Sequence, residues 1–144
     1  MAIASEICNS FKVEILKAVH NFTAGGANVF NLALYTDSAT LGKGTTVYIS
    51  TNEVATATGY TAKGKALTSV TPVLSTDTAV CDFDNVSWTS ASFTANGCLI
   101  FNETASGDPA VCSIAFGGNK TVTSGTFTIE FPAASAGTAI LGIA

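Results

Sequence analysis

From residue 29 onward the chain alternates apolar and polar side chains, a period of two that is typical of β-strands burying one face. In the stretch GTFTIEF (125–131) the phenylalanines and the isoleucine would face a core, while the threonines and Glu130 would face water. Eight stretches of this kind occur, at residues 29–36, 65–70, 78–83, 86–89, 92–101, 110–116, 125–131 and 139–144. Turn signals such as Gly117-Gly118-Asn119 separate them. The pattern predicts an antiparallel β-sandwich or jelly-roll-like arrangement over residues 27–144.

Residues 6–22 follow a different period, that of an amphipathic α-helix. The apolar side chains that recur at helical spacing are Ile7, Cys8, Phe11, Ile15, Ala18, Val19 and Phe22. Ser5 is a suitable N-cap, and the double glycine at 25–26 would stop the helix. On the opposite face Val13 suggests a second contact, and His20 should be a solvated surface histidine.

Both patterns together predict one mainly β domain, residues 1–144, in which the single N-terminal helix covers an edge or an open end of the sheets. The side chains expected to share one core are Phe11, Ile15, Trp88, Ile100, Ile114, Phe116, Phe127, Ile129 and Phe131. A chain of this length can bury such a core without disulfides or a structural metal.

The segment 37–64 has no sustained periodicity, and an irregular segment of this length in a compact domain usually has a function or is disordered. It contains Tyr48 and Tyr60, whose amphipathic rings suit an interface. Two interpretations remain open, because the same tyrosines would also be suitable for capping the core.

The charge pattern argues against nucleic-acid binding. All six basic residues are lysines scattered along the chain, there is no arginine, and the net charge is −4. Phosphate recognition favours arginine forks and a clustered basic surface. Only 11% of residues are charged, so copies of the chain could pack together with little electrostatic repulsion.

No catalytic, cofactor or metal site is predicted. The only histidine, His20, lies in no nucleophile motif. Asp82 and Asp84 would share a strand face, but a calcium site needs more oxygen ligands, so a turn with a side-chain cap is the better interpretation. The four cysteines form no Cys-x-x-Cys pair and are expected to be small buried side chains, with a disulfide possible after release into an oxidising medium.

The first 19 residues do not resemble a signal peptide, because charged residues interrupt the apolar run. No stretch approaches 18 uncharged apolar residues. We therefore expect a chain that is made in a cytoplasm, at least at first, and that has no membrane span.

Several motifs carry a resemblance over nearly the whole chain: FKVEILKAVHNF, LALYTDSATL, TNEVATATGYTAKGKALTSVTP, DFDNVSWTSASFTANGCLIFN and SGTFTIEFPAA. Together they resemble a group of small virion structural proteins of tailed bacteriophages. The chain departs from the group at Cys98, where a small residue such as alanine is expected. That difference affects packing detail and leaves the class unchanged.

The resemblance implies a particle component without enzymatic activity, a capsid decoration (cement) protein that binds the major capsid protein. The alternative is a tail, head-fibre or adhesin module that contacts the host surface. A decoration protein on a symmetry axis is expected to be a homotrimer, since repeated weak contacts gain avidity. We expect Val13, Tyr48 and Tyr60 to supply part of the partner contacts.

Overall fold

The computed structural model describes residues 2–144 and consists mainly of antiparallel strands with one short helix near the N-terminus. The elements in chain order are β1 (Glu6–Ile7), α1 (Asn9–Leu16), β2 (Phe30–Tyr35), β3 (Lys65–Ala66), β4 (Ser69–Ser75), β5 (Thr78–Phe83), β6 (Val86–Asn102), β7 (Ala110–Ile129) and β8 (Leu141–Ile143). They form a five-stranded sheet, β1-β7-β6-β2-β3, and a three-stranded sheet, β4-β5-β8. The predicted fold class, a mainly β sandwich-like domain with one N-terminal helix, is confirmed.

The strands β6 and β7 form a long hairpin where the sequence predicts four short strands. At the two predicted breaks that lie inside these strands, the strand continues through a bulge. Residues there adopt positive φ angles: 49° at Ser90 in β6, and 74° at Gly117 and 45° at Ser124 in β7. The pairing changes register between Ala95, which pairs with Lys120, and Gly97, which pairs with Ala115. The glycine-rich stretch 117–119 is therefore an insertion within β7, and the prediction of a turn there is wrong.

The hydrophobic core joins both sheets. Its largest fully buried side chains include Trp88, Tyr35, Tyr60, Phe30, Phe101, Leu32, Leu34, Leu99 and Ile100. Of the side chains predicted to form the core, Phe11, Trp88 and Ile100 are buried. The others pack against the core but stay partly exposed: Ile15, Ile114, Phe116, Phe127, Ile129 and Phe131.

The helix is shorter than the predicted span 6–22. Residues Glu6 and Ile7 pair with β7 as strand β1, so the helix begins only at Asn9. The Ser5 hydroxyl accepts a hydrogen bond from the Ala115 N–H instead of capping the helix. At the other end Ala18 adopts the left-handed conformation, with φ 58°, which ends the helix after Leu16.

Several of the apolar side chains predicted to line one face of the helix are nevertheless buried, although some of them lie outside α1. Cys8, Phe11 and Phe22 have relative exposures of 0%, 6% and 7%. Phe22 lies beyond the helix and stacks on Phe30, with ring centroids 4.3 Å apart. No helix among residues 2–144 has the length and apolarity that crossing a bilayer requires.

Candidate interaction surfaces

The helix α1 presents two exposed apolar side chains on one side. Val13 is 54% exposed and Leu16 is 89% exposed, the highest value among the large apolar residues. They are three residues apart, so they are neighbours on the helix surface. We call this pair the α1 knob. Val13, which the sequence marks as a candidate contact, is therefore accessible, and the knob adds Leu16.

Tyr60 is part of the core, with a relative exposure of 2%. Its hydroxyl donates to Glu53 Oε1 at 2.7 Å and accepts the Leu34 N–H at 2.9 Å. The Tyr48 hydroxyl donates to Glu53 Oε2 at 2.5 Å, and its ring is half-buried against Phe101. The structure therefore corrects the expectation that Tyr60 supplies partner contacts, because a partner cannot reach its ring. Both tyrosines cap the core.

Glu53 organises the long segment 37–64. Besides the two tyrosine hydroxyls, its Oε1 accepts the Lys63 N–H at 2.7 Å. Desolvation, followed by the hydrogen bond to Glu53, raises the pKa values of Tyr48 and Tyr60. The Lys63 ammonium in turn lies 2.7 Å from Asp108 Oδ2, which joins the segment to the loop between β6 and β7. The long segment is thus held by a specific polar cluster.

We expect Glu53→Ala to destabilise the protein by about 3–5 kcal/mol, because three donors lose a charged acceptor and two of them are tyrosine hydroxyls at the core. Thermal and urea unfolding would measure the change. Glu103→Ala is a matched control, since the Glu103 side chain is 42% exposed and its ion pair with Lys63 is long, at 3.7 Å. The control should stay within about 0.5 kcal/mol of the unaltered protein. Equal stabilities of the two variants would contradict a structural role for Glu53.

His20 is buried, so the prediction of a solvated surface histidine is wrong. Its Nδ1 lies 3.2 Å from Asn102 Nδ2, and its Nε2 lies 2.8 Å from Glu14 Oε2. The Asn102 Oδ1 accepts the N–H groups of Thr104 and Ala105, and this leaves the amide nitrogen to donate to His20. The imidazole therefore accepts at Nδ1 and donates from Nε2 to Glu14.

This arrangement gives His20 a structural role. A general base needs a nitrogen that can receive a proton from a substrate, and both ring nitrogens of His20 already have protein partners. The histidine instead links Glu14 of α1 to Asn102 at the end of β6. The sequence offers no sign of this link, because Asn102 is 82 positions away.

An open apolar cleft of about 770 Å³ lies between α1 and the three-stranded sheet. Its walls include Phe11, Ile15 and Leu16 on the helix side and Cys81, Leu141 and Ile143 on the sheet side. His20 also borders the cleft, but its polar atoms are engaged as described above. Burial raises the pKa of the Cys81 thiol to about 12, and a thiol that stays protonated is a poor nucleophile.

A second apolar concavity, of about 480 Å³, follows the strand β7. Its apolar walls include Ile114, Phe116, Phe127, Ile129 and Phe131, and we call these five side chains the β7 groove. All five side chains are partly exposed. Beyond Ser113 no strand within residues 2–144 pairs with the outer edge of β7. The charged side chains of Lys120 and Glu130 also border the groove.

The remaining candidate ligands are used locally. The Asp82 Oδ1 accepts the N–H of the next residue, Phe83, at 2.8 Å, and both residues lie within β5. Within residues 2–144 no three His, Cys, Asp or Glu side chains converge as a metal-binding group. All four cysteines are free and buried, as the sequence predicts.

Comparison of the chain with protein-family models, with curated proteins and with solved structures found no match.

Proposed function

We propose that this protein is a non-enzymatic structural component of a tailed-phage virion that decorates the capsid shell by binding the major capsid protein. The observation that carries the proposal is the combination of a rigid β scaffold with exposed apolar surface at the α1 knob and the β7 groove. Exposed apolar patches of this kind often mark protein–protein contacts. The sequence resemblance to small virion proteins supports the same class.

The chemistry of the fold also favours binding over catalysis. The polar side chains that line the cleft beside α1 are Lys12, His20, Asn21 and Thr23, and the ring nitrogens of His20 already have partners in Glu14 and Asn102. The thiols have pKa values raised by burial, so they stay neutral near physiological pH. A protein that acts by adhesion needs none of these groups to react.

The alternative, a tail, head-fibre or adhesin module, would be favoured by an exposed aromatic platform for surface glycans. Trp88 is the one tryptophan and is 2% exposed, so its ring cannot stack on a sugar. Counting copies per purified virion separates the two proposals. Hundreds of copies would place the protein on the shell, whereas a number that matches tail symmetry would support the alternative.

We expect the attachment to capsids to survive high salt, because the surface carries few charges and no arginine. Purified protein would be mixed with capsids that lack it, and the bound fraction measured as salt rises to about 1 M, where the Debye length is roughly 3 Å. A protein of similar size that attaches through ion pairs is the control and should be released. Complete release of this protein would contradict attachment through apolar and hydroxyl contacts.

A further inference from the structure

We propose that the apolar cleft between α1 and the three-stranded sheet binds a free single-chain carboxylate, such as a medium-chain fatty acid, with its hydrocarbon chain between helix and sheet and its carboxylate at Lys12. The inference goes beyond the proposed function and does not depend on it, because it concerns a small ligand. The protein could have this site whether or not it binds capsids.

The sheet wall of the cleft continues the core-facing side of β5 and β8 beyond the core. Cys81 pairs with Leu141, and Ala79 pairs with Ile143. Paired residues, and residues two apart along a strand, share a face, so these four side chains lie on one side of the sheet. The first pair is buried, at 7% and 6% exposure, whereas Ala79 is exposed and Ile143 is 63% exposed. The wall is therefore one apolar surface that is covered at one end and bare at the other.

The helix wall of the cleft has an inner and an outer row. Phe11 and Ile15 are four residues apart, as are Lys12 and Leu16, so the members of each pair are neighbours along the helix. Phe11 is buried and Ile15 is partly buried, whereas Lys12 and Leu16 are exposed. A hydrocarbon chain in the cleft would contact the inner row and cover part of Leu16. Its polar end would then lie in water near the Lys12 ammonium.

The dimensions of the cleft suit a small ligand. Ligand sites typically have volumes of about 300–1,000 Å³, apolar walls and few polar groups, and this cleft has a volume of about 770 Å³. A flexible hydrocarbon chain can extend from the buried side chains of Phe11 and Cys81 to the exposed side chains of Leu16 and Ile143. Because the cleft is open on one side, the ligand's charged end need not be desolvated.

The charge of the cleft favours a carboxylate as the polar end of the ligand. Within residues 2–144, Lys12 is the one charged side chain that lines the cleft, and no aspartate or glutamate lines it. The Lys12 ammonium donates to the neutral Asn9 Oδ1 at 3.1 Å and has no ion-pair partner in the described part of the chain. Glu14, on the same helix, accepts a hydrogen bond from His20 Nε2 instead. The ammonium is therefore available to an anion.

Equilibrium dialysis of the full chain against octanoate, decanoate and dodecanoate tests the apolar part of the site. We expect the affinity to rise by up to about fourfold for each added CH₂ group, because each buried group contributes a similar free energy of transfer. Ala79→Trp should lower the affinity at least tenfold, since the larger side chain would occupy the open end of the cleft. Its thermal unfolding should be nearly unchanged because Ala79 is exposed.

A comparison of decanoate with decanol tests the charged part. Lys12→Gln should weaken decanoate binding by about two- to fivefold, the effect of an exposed ion pair, and should leave decanol binding unaltered. Lys17→Gln is the matched control. Lys17 is also an exposed lysine, at the end of the same helix, but it does not line the cleft, so its replacement should change neither affinity.

The inference is overturned if no dodecanoate is retained at about 1 mM, if Ala79→Trp binds as tightly as the unaltered protein, or if Lys12→Gln weakens decanoate and decanol binding equally. Two further results would contradict it by identifying another occupant. Dimers that form without ligand and that Ala79→Trp disrupts would show that a second copy fills the cleft. Co-sedimentation with phospholipid vesicles that Ala79→Trp abolishes would show that the acyl chains belong to a bilayer.

Discussion

Raising the pH from about 8 to about 11 should unfold this protein, because the folded chain holds its four cysteines as neutral thiols. Burial raises the pKa of Cys8 from an ordinary value of 9.0 to about 11, and the pKa values of Cys81 and Cys98 to about 12. Burial, with a smaller effect of the nearby thiols, raises the pKa of Cys112 well above 9.0. An unfolded chain would ionise all four near its ordinary pKa.

The direction of the effect follows from the protons bound in each state. Above about pH 9 the unfolded chain binds fewer protons than the folded chain, so the free energy of unfolding falls as pH rises. Each thiol removes about 1.4 kcal/mol per pH unit until its folded-state pKa is reached, and four thiols remove about 5 kcal/mol per unit. Domains are typically stable by about 5–15 kcal/mol. Tyr35 and Tyr60, whose pKa values burial also raises, add to the loss above about pH 10.

Urea unfolding under reducing conditions, at a series of pH values, would measure this slope. Cys112→Ala provides the control: between about pH 9 and pH 10, before the tyrosines contribute, removing one thiol should flatten the slope by about a quarter, whatever the change in stability near neutral pH. Because the readout is a slope, a cavity left by the shorter side chain does not imitate it. A urea midpoint that stays constant up to about pH 11 would contradict the prediction.

Gly64→Ala should destabilise the protein by about 4 kcal/mol or more, which is exceptional for one added methyl group. Gly64 precedes β3 with φ +67°, a conformation that disfavours side chains, and it lies against the backbone of β2. A Cβ atom there would overlap the Leu32 carbonyl oxygen and lie 2.7 Å from its carbonyl carbon. Neither atom can rotate away, because Leu32 lies in β2 between β3 and β6.

Two other glycines separate steric overlap from backbone strain. Gly25 has a similar φ, +68°, but a Cβ there would meet nothing within 4 Å, so Gly25→Ala should cost only about 1–2 kcal/mol. Gly44 has neither the strained φ nor a near neighbour, and Gly44→Ala should stay within about 0.5 kcal/mol. Thermal unfolding of the three variants should give this order. A Gly64 variant no less stable than the Gly25 variant would show that the β2–β3 contact tolerates a side chain.

The strands with clear local patterns were predictable. The stretch 78–83 was predicted as a strand, and β5 spans Thr78–Phe83; the prediction for 29–36 contains β2 at Phe30–Tyr35. Alternating side chains bury one face of a strand wherever that strand lies, so the period of two is readable without knowing its neighbours. The mainly β fold class follows from the same local signal.

The candidate surfaces depended on contacts between residues distant in sequence. Val13 could be picked out from the helical pattern, but the 89% exposure of Leu16 could not, because burial depends on what packs against α1. Glu53 carries no sequence signal, since its importance comes from tyrosines brought onto its carboxylate by the fold. The β7 groove brings Ile114 and Phe116 beside Phe127, Ile129 and Phe131, and alternation alone does not show which of these side chains become neighbours.

The period of the side chains in the sequence was thus enough to predict a mainly β chain with one N-terminal helix, and charge and composition were enough to disfavour nucleic-acid binding. Tertiary pairing decided the rest. Residues 6–7 became a strand because β7 offered them an edge, and 117–119 became a bulge because β6 continued alongside. His20 became buried because its ring packs among Phe11, Phe22 and Phe30, with Asn102 beside Nδ1. The physical reason is that secondary-structure period is a local property, whereas the burial of a polar group or the exposure of a strand edge depends on distant residues that the period does not identify.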